Sequence, residues 1–147
     1  QSRSSAASDV YKRQINHCLE IGTGCGYQTY ILSLFSKKVT SVERIEPLQD
    51  KAKETLKNLG VRNVTFKIDD GNNLGRLKYD AILSAAAPLS VPSSLKERLA
   101  VGGRLILPVG DSQRQVLTLI HRIDNDSYEE KRLEDVLFVP LLKGIVS

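Results

Sequence analysis

The run Cys18-Leu19-Glu20-Ile21-Gly22-Thr23-Gly24-Cys25-Gly26-Tyr27 holds the residue types best suited to receive a small molecule. An apolar stretch ends in a carboxylate, glycines follow at alternate positions, and a helical pattern then begins, which reads as strand, tight turn and helix. Lacking a Cβ, Gly22, Gly24 and Gly26 can take positive φ and let a ligand lie against the backbone, where N–H groups at a helix start can meet it. Glycine-rich turns also serve purely structural ends, so the ligand class rests on spacing. A dinucleotide fingerprint G-x-G-x-x-G counted from Gly22 requires glycine where this chain has Tyr27; the pattern here is G-x-G-x-G. A second carboxylate, Glu43, closes the next apolar run, Val39-Thr40-Ser41-Val42, about 20 residues after the turn opens, where an acid hydrogen-bonds ribose hydroxyls. Both features fit adenosine without a pyrophosphate.

These groups need a scaffold that brings strand ends together. Residues 15–21 form the first predicted strand, followed by a helix over 27–36 with Tyr27, Tyr30, Ile31 and Leu34 on one face. A strand over 39–43 precedes a helix that has Pro47 in its first turn, Leu48, Ala52, Leu56 and Leu59 at helical spacing, and Gly60 as its stop. Strands follow at 64–68 and 79–84. Leu95 and Leu99 mark a short helix opened by Pro92 and closed before Gly102-Gly103, and residues 104–108 form the next strand. Such alternation predicts an α/β fold with a parallel sheet, right-handed crossovers and ligand chemistry at the carboxyl ends of the strands. Beyond Val109 the pattern changes: residues 115–123 and 136–142 are β-like, joined by a polar loop at 124–131, and are expected to pair antiparallel at one edge.

Composition narrows the class. With 147 residues, 41% hydrophobic and 26% charged, the chain reads as one globular domain with a sizeable core. No apolar run approaches ~20 residues, and no charged segment leads into an apolar one at the start, so the expectation is a cytoplasmic protein without a membrane span. The net charge of +4 is partly local: Arg3, Lys12 and Arg13 face only Asp9 in residues 1–14. Basic residues are otherwise scattered and aromatics are 5%, so a nucleic-acid partner is not indicated. Cys18 and Cys25 form no C-x-x-C and have no histidine pair at ligand spacing, which speaks against zinc or a disulfide and for reduced, packed residues. His17 and His121 read as strand residues without chemistry, and Arg44, Lys51, Lys53 and Lys57 as a solvated face. Residues 1–14, rich in serine and alanine and without periodicity, read as a disordered or foreign tract before a single core domain over 15–147.

Several blocks taken together resemble a known family. Leu19-Glu20-Ile21-Gly22-Thr23-Gly24-Cys25-Gly26-Tyr27-Gln28-Thr29, Ser41-Val42-Glu43-Arg44-Ile45, Asp70-Gly71, Tyr79-Asp80-Ala81-Ile82, Ala85-Ala86-Ala87-Pro88, the run from Gly102-Gly103 to Val109-Gly110, and Phe138-Val139-Pro140-Leu141 are similar, in order, to bacterial protein-L-isoaspartate O-methyltransferases. The resemblance implies a Rossmann-like class I methyltransferase sheet, mostly parallel with an antiparallel C-terminal edge. It also implies S-adenosyl-L-methionine as donor and isoaspartyl-containing proteins and peptides as partners. By the same resemblance Glu20, Gly22, Gly24, Gly26, Glu43, Asp70 and Gly71 bind the cofactor, and Ser84, Ala85 and Ala86 meet the substrate.

Two departures accompany it. Members usually carry G-D-G where this chain has Asp69-Asp70-Gly71. They also carry an upstream segment with an I-S-Q-P motif whose serine lies at the active site; residues 1–14 contain no match, so the resemblance implies an N-terminally incomplete member whose catalytic residue is unassigned. The chemistry itself needs little apparatus. Methyl transfer from a sulfonium is an in-line displacement that rests on positioning, and an isoaspartyl α-carboxylate is already ionised near neutral pH, so no general base is required. Amine methyltransferases of this fold resemble one another in an N-P-P-Y or D-P-P-Y block after the fourth strand, where this chain has Ser84-Ala85-Ala86-Ala87-Pro88. A nicotinamide-dependent dehydrogenase and an S-adenosyl-binding domain without turnover are the rival readings.

Overall fold

The computed structural model describes residues 14–147. Apart from Gln14, the tract read as disordered or foreign lies outside the described residues. Elements run β1 (Ile15–Ile21), α1 (Tyr27–Phe35), β2 (Ser36–Glu43), α2 (Glu46–Asn58), β3 (Val64–Ile68), β4 (Tyr79–Ser84), β5 (Ala86–Ala87), α3 (Ser93–Lys96), β6 (Leu99–Gly110), β7 (Gln115–Arg122), β8 (Tyr128–Val136) and β9 (Val139–Pro140).

Seven strands form one sheet in the order β3-β2-β1-β4-β6-β7-β8, parallel from β3 to β6 and antiparallel from β6 to β8. The mixed α/β sheet with an antiparallel edge is the architecture expected. β1 lies between β2 and β4, so chain order reverses there, and the crevice at a parallel sheet's reversal point is where ligands bind. The core collects Leu19, Ile21, Val42, Tyr79, Ile82, Leu95, Leu99, Leu105, Leu107 and Ile120 around that centre. α2 starts with Pro47 in its first turn and ends on a Gly60 stop: the Val61 N–H reaches the Leu56 carbonyl at 3.0 Å and the Gly60 N–H that of Lys57 at 3.0 Å. Among the described residues no helix is long and apolar enough to cross a membrane.

The structure departs from the sequence pattern at three places. In α1 the buried residue is Thr29, while Tyr27 (73% exposed), Leu34 and Phe35 face outward, because a hydrogen bond from Thr29 to a buried carboxylate decides which face turns in. α3 is one turn, and Leu99 already belongs to β6: Leu99 pairs with Tyr79, and a register shift follows before Arg104 pairs with Ala81. At the C-terminal edge the partner of β7 is β8, a charge-rich strand that takes in residues 128–131 of the stretch read as a loop and meets the apolar run 136–142 only at Val136, which pairs with Gln115. An edge strand has one free side, and charges there are tolerated and discourage further pairing. Residues 139 and 140 pair with Ala86 and Ala87 in a separate parallel ribbon.

Candidate active site

A cavity of about 460 Å3, a volume suited to a cofactor-sized ligand, opens at the carboxyl ends of β1, β2 and β4. Its floor is Ile21, Gly22 and Gly24 from the turn after β1, with Ala85 and Ala86 after β4. One side is Glu43, Ile45 and Leu48, another is Asp69 and Asp70 after β3, and residues 139–142 complete it. Gly22, Gly24 and Gly26 have φ of 96°, 56° and 87°, as the spacing predicts. A Cβ on Gly22 would sit 3.4 Å from that of Ala85, and one on Gly26 3.2 Å from that of Ala52, so the first glycine opens the cavity and the last lets α1 approach α2.

The turn does not present a row of free N–H groups. The N–H groups of Gly22 and Thr23 bond the Val42 carbonyl, that of Gly26 bonds the Thr23 carbonyl, and that of Gly24 donates to Glu43 Oε1 at 2.9 Å. Glu43 Oε2 accepts from the N–H groups of Arg44 (2.9 Å) and Ile45 (3.1 Å). A carboxylate offers about four lone-pair directions, so three donors leave room for one hydroxyl, and a second must share with or displace Gly24. Three carboxylates, Glu43, Asp69 and Asp70, line the cavity against one guanidinium, Arg44. That balance suits a cationic ligand and opposes a pyrophosphate.

Behind the turn lies a directed relay of hydrogen bonds. A Gln49 Nε2 donates to Thr23 Oγ1 (3.3 Å), the Thr23 and Ser41 hydroxyls lie 2.6 Å apart, and Ser41 donates to Glu20 Oε1 at 2.6 Å. Thr29 donates to the same oxygen, and Gln28 Nε2 to Oε2 at 3.0 Å. Glu20 is 0% exposed and lies outside the cavity lining. Burial pushes its carboxyl up, the hydroxyl and amide donors oppose that, and the charge of Glu43 adds to it.

The other expected residues divide similarly. Asp70 is at the cavity, where its Oδ2 accepts from the Gly144 N–H and its Oδ1 from the Asn72 N–H, both at 3.0 Å; these bonds hold its carboxyl below the usual range, the Gly144 bond most. Gly71 supports it from behind, packed on Ile21 with φ 85°. Asp69 keeps a negative φ, and its Oδ1 accepts from the N–H groups of Gly71 (2.8 Å) and Asn73 (3.3 Å), so glycine is not needed at that position. Ala85 and Ala86 line the cavity. Ser84 does not; its hydroxyl donates to the Ala86 carbonyl at 2.8 Å and shapes the strand end.

Arg44, read as part of a solvated face, stands at the cavity, with its Nε on the Gly144 carbonyl at 2.9 Å. Cys25, expected to be packed, is exposed, whereas Cys18 is buried with its thiol pushed up to about 12 by burial and by Glu20. His17 bonds Thr40 Oγ1 at 2.8 Å and packs edge-on against Tyr79, a structural role. Residues 139–142 and Leu48 were not read as site residues. The only signal was the block Phe138-Val139-Pro140-Leu141 within the resemblance.

Comparison with known proteins bears on this geometry. The family model described as protein-L-isoaspartate(D-aspartate) O-methyltransferase matches residues 10–145, starting within the last residues of the N-terminal tract. The protein-L-isoaspartate O-methyltransferase of Saccharophagus degradans is 53% identical over 131 residues, covering 86% of this chain and 58% of the relative. That of Burkholderia cenocepacia is 47% identical over 139 residues, covering 91% and 44%. The chain thus spans about half the length of the curated relatives it matches. A solved protein-L-isoaspartate O-methyltransferase superposes with a TM-score of 0.78 at 26% identity, over 95% of this chain and 47% of that one. The fold is shared too with a Plasmodium falciparum beta-aspartate methyltransferase (PCMT) in complex with S-adenosyl-L-homocysteine, at a TM-score of 0.78 and 24% identity, over 95% and 72%.

Proposed function

Because the chain belongs to the protein-L-isoaspartate(D-aspartate) O-methyltransferase family, we propose that residues 15–147 act as one core that binds S-adenosyl-L-methionine and serves methyl transfer to the free carboxylate of isoaspartyl residues in proteins. The observation that carries this reading is Glu43, a buried acid (7% exposed) with one acceptor direction left at a cavity where Asp69 and Asp70 add two more carboxylates against the single guanidinium of Arg44. The donor supplies a sulfonium methyl carbon: its bond to sulfur breaks as a bond to the carboxylate oxygen forms.

The chain's own residues contribute position. Gly22 and Gly24 give the donor a surface without side chains, Glu43 takes a ribose hydroxyl, and Asp70 with Gly71 bounds the adenine side. Ala85 and Ala86 leave space for a peptide carboxylate beside Gly22. Glu20, Gly26 and Ser84 act from behind, holding the turn, the start of α1 and the end of β4. An acceptor that arrives ionised requires only orientation, so the reaction asks for no titrating dyad at the cavity. The working compartment in this reading is the cytoplasm.

Isothermal titration tests the donor assignment: S-adenosyl-L-homocysteine should bind more tightly than NAD, and the reverse order overturns it. For the acceptor, an isoaspartyl peptide should bind or be methylated in preference to its aspartyl twin. Equal behaviour of the two peptides removes the repair substrate from the proposal.

A further inference from the structure

A second cleft, of about 430 Å3, lies beside the β6–β7 hairpin. Leu89, Val109 and Val116 give it an apolar base, and Arg114, Arg132 and Asp111 give it charge. We propose that this cleft receives an acidic side chain two or three residues from the isoaspartyl acceptor, so that the protein favours damaged sites in acidic sequence; the proposal rests on the function argued above.

Its position carries the argument. Ala86 lines the first cavity and Leu89 lines the second, and three peptide units span at most about 11 Å. The connection is held, since the Gly110 N–H bonds the Pro88 carbonyl at 2.9 Å. A second tie runs through Gln115, which is 2% exposed. Its Nε2 donates to the carbonyls of Asp111 and Phe138, each at 3.0 Å, and its Oε1 accepts from the Phe138 N–H at 2.6 Å. Phe138 leads directly into residues 139–142, the wall of the first cavity. One buried amide therefore locks the hairpin to that wall, and an extended peptide with its acceptor at Ala85 and Ala86 passes the second cleft within two or three residues.

The charge at the cleft is available to such a ligand. Both guanidinium groups are exposed. Asp111 is partly committed: its Oδ1 accepts from the N–H groups of Gln113 (2.8 Å) and Arg114 (2.9 Å), which fixes the hairpin and the point from which Arg114 projects. Two forked cations over an apolar base match a carboxylate on a short aliphatic stem, as in glutamate or aspartate. Exposed pairs of this kind are worth a few-fold each and weaken with salt.

The test uses the full chain saturated with S-adenosyl-L-homocysteine and fluorescently labelled isoaspartyl peptides that carry Glu, or Gln in its place, two residues to either side of the isoaspartate. Fluorescence anisotropy at low ionic strength should show the Glu peptides binding about fivefold more tightly. The preference should vanish in Arg114→Gln/Arg132→Gln and in about 0.5 M salt, while the variant keeps its affinity for S-adenosyl-L-homocysteine. Equal binding of Glu and Gln peptides, or a preference unchanged in the double variant, overturns the inference. A Glu preference shared equally by isoaspartyl and aspartyl peptides leaves the cleft standing and removes the acceptor assignment instead. Absence of any peptide binding overturns both.

Discussion

On one side of the cavity the turn from Gly22 to Gly26 rests on a relay of buried side chains that ends at Glu20; on the other, residues 139–146 lean on Asp70, Ala87 and Arg44 through separate bonds, those of Gly144 exposed. The relay draws on β1, α1, β2 and α2 at once, so shifting the turn breaks bonds on several elements together. In the facing wall, beyond the anchor of Phe138 on buried Gln115, the ties are sparser and spread along the chain: Gly144 to Asp70, Leu141 to Ala87, and the paired bonds of Val146 with Arg44 and Glu46. Stability within a domain is graded in this way, and the less tied wall is the one expected to yield when a ligand enters. The turn and Glu43 form the preset half of the site, and residues 139–146 the half that adjusts.

Cutting the buried relay should have the largest effect. Glu20→Ala strands the donors of Thr29, Ser41 and Gln28 and is expected to lower unfolding free energy by roughly 2–4 kcal/mol, whereas Asp70→Ala, which frees two exposed donors that water can satisfy, should stay within about 0.5 kcal/mol. Urea denaturation of both variants decides it, and equal losses would erase the distinction between the walls. Ligand affinity gives the next largest difference. Glu43→Ala removes a charge-assisted acceptor worth roughly 1.5–3 kcal/mol, so the dissociation constant for S-adenosyl-L-homocysteine should rise about 10- to 100-fold, against about threefold for Asp70→Ala. In the same titration the Gly24 amide resonance should move on binding as its Glu43 bond is shared or lost.

A pH series sharpens the contrast further. Burial raises the folded-state value of Glu20 above its ordinary 4.5, so its stabilising contribution is full below that value and is lost as pH rises through the elevated one. Wild type should therefore lose more stability than Glu20→Gln between about pH 4.5 and neutrality, whereas Asp70, whose value is lowered, acts only at more acid pH, where stability falls as pH falls through its folded value. A steeper decline in the Glu20→Gln protein would contradict the assignment. The smallest perturbation is thiol labelling: Cys25, exposed on the turn, should react in the native protein, and Cys18, buried in β1 with its thiol near 12, only after unfolding.

Much of the preset half was legible because its signals are local or repeat at fixed spacing. The alternate glycines announce positive φ, Glu43 follows at the distance set by one crossover, and α2 carries Pro47 at its start and Gly60 at its end. The adjusting half was not legible. Residues 139–142 are apolar and β-like, and nothing local tells a strand that pairs with β7 from one that pairs with Ala86 and Ala87. β8 was hidden for the opposite reason, since Glu129, Glu130 and Lys131 look like a loop until β7 supplies a partner.

The sequence by itself determined the order of the main elements as far as β7, the parallel sheet with its reversed edge, and a glycine turn with one acid before it and another one crossover later, because backbone freedom and hydrophobic period act over a few residues. Tertiary structure alone decided which carboxylate faces the cavity and which is buried behind it. Glu20 and Glu43 both end apolar runs, yet one is enclosed by Thr29, Ser41 and Gln28 and the other is left with an open acceptor direction. It also decided that Thr29 rather than Tyr27 or Leu34 turns inward, since a hydroxyl that satisfies a buried carboxylate outweighs the burial of one more apolar side chain on a short helix.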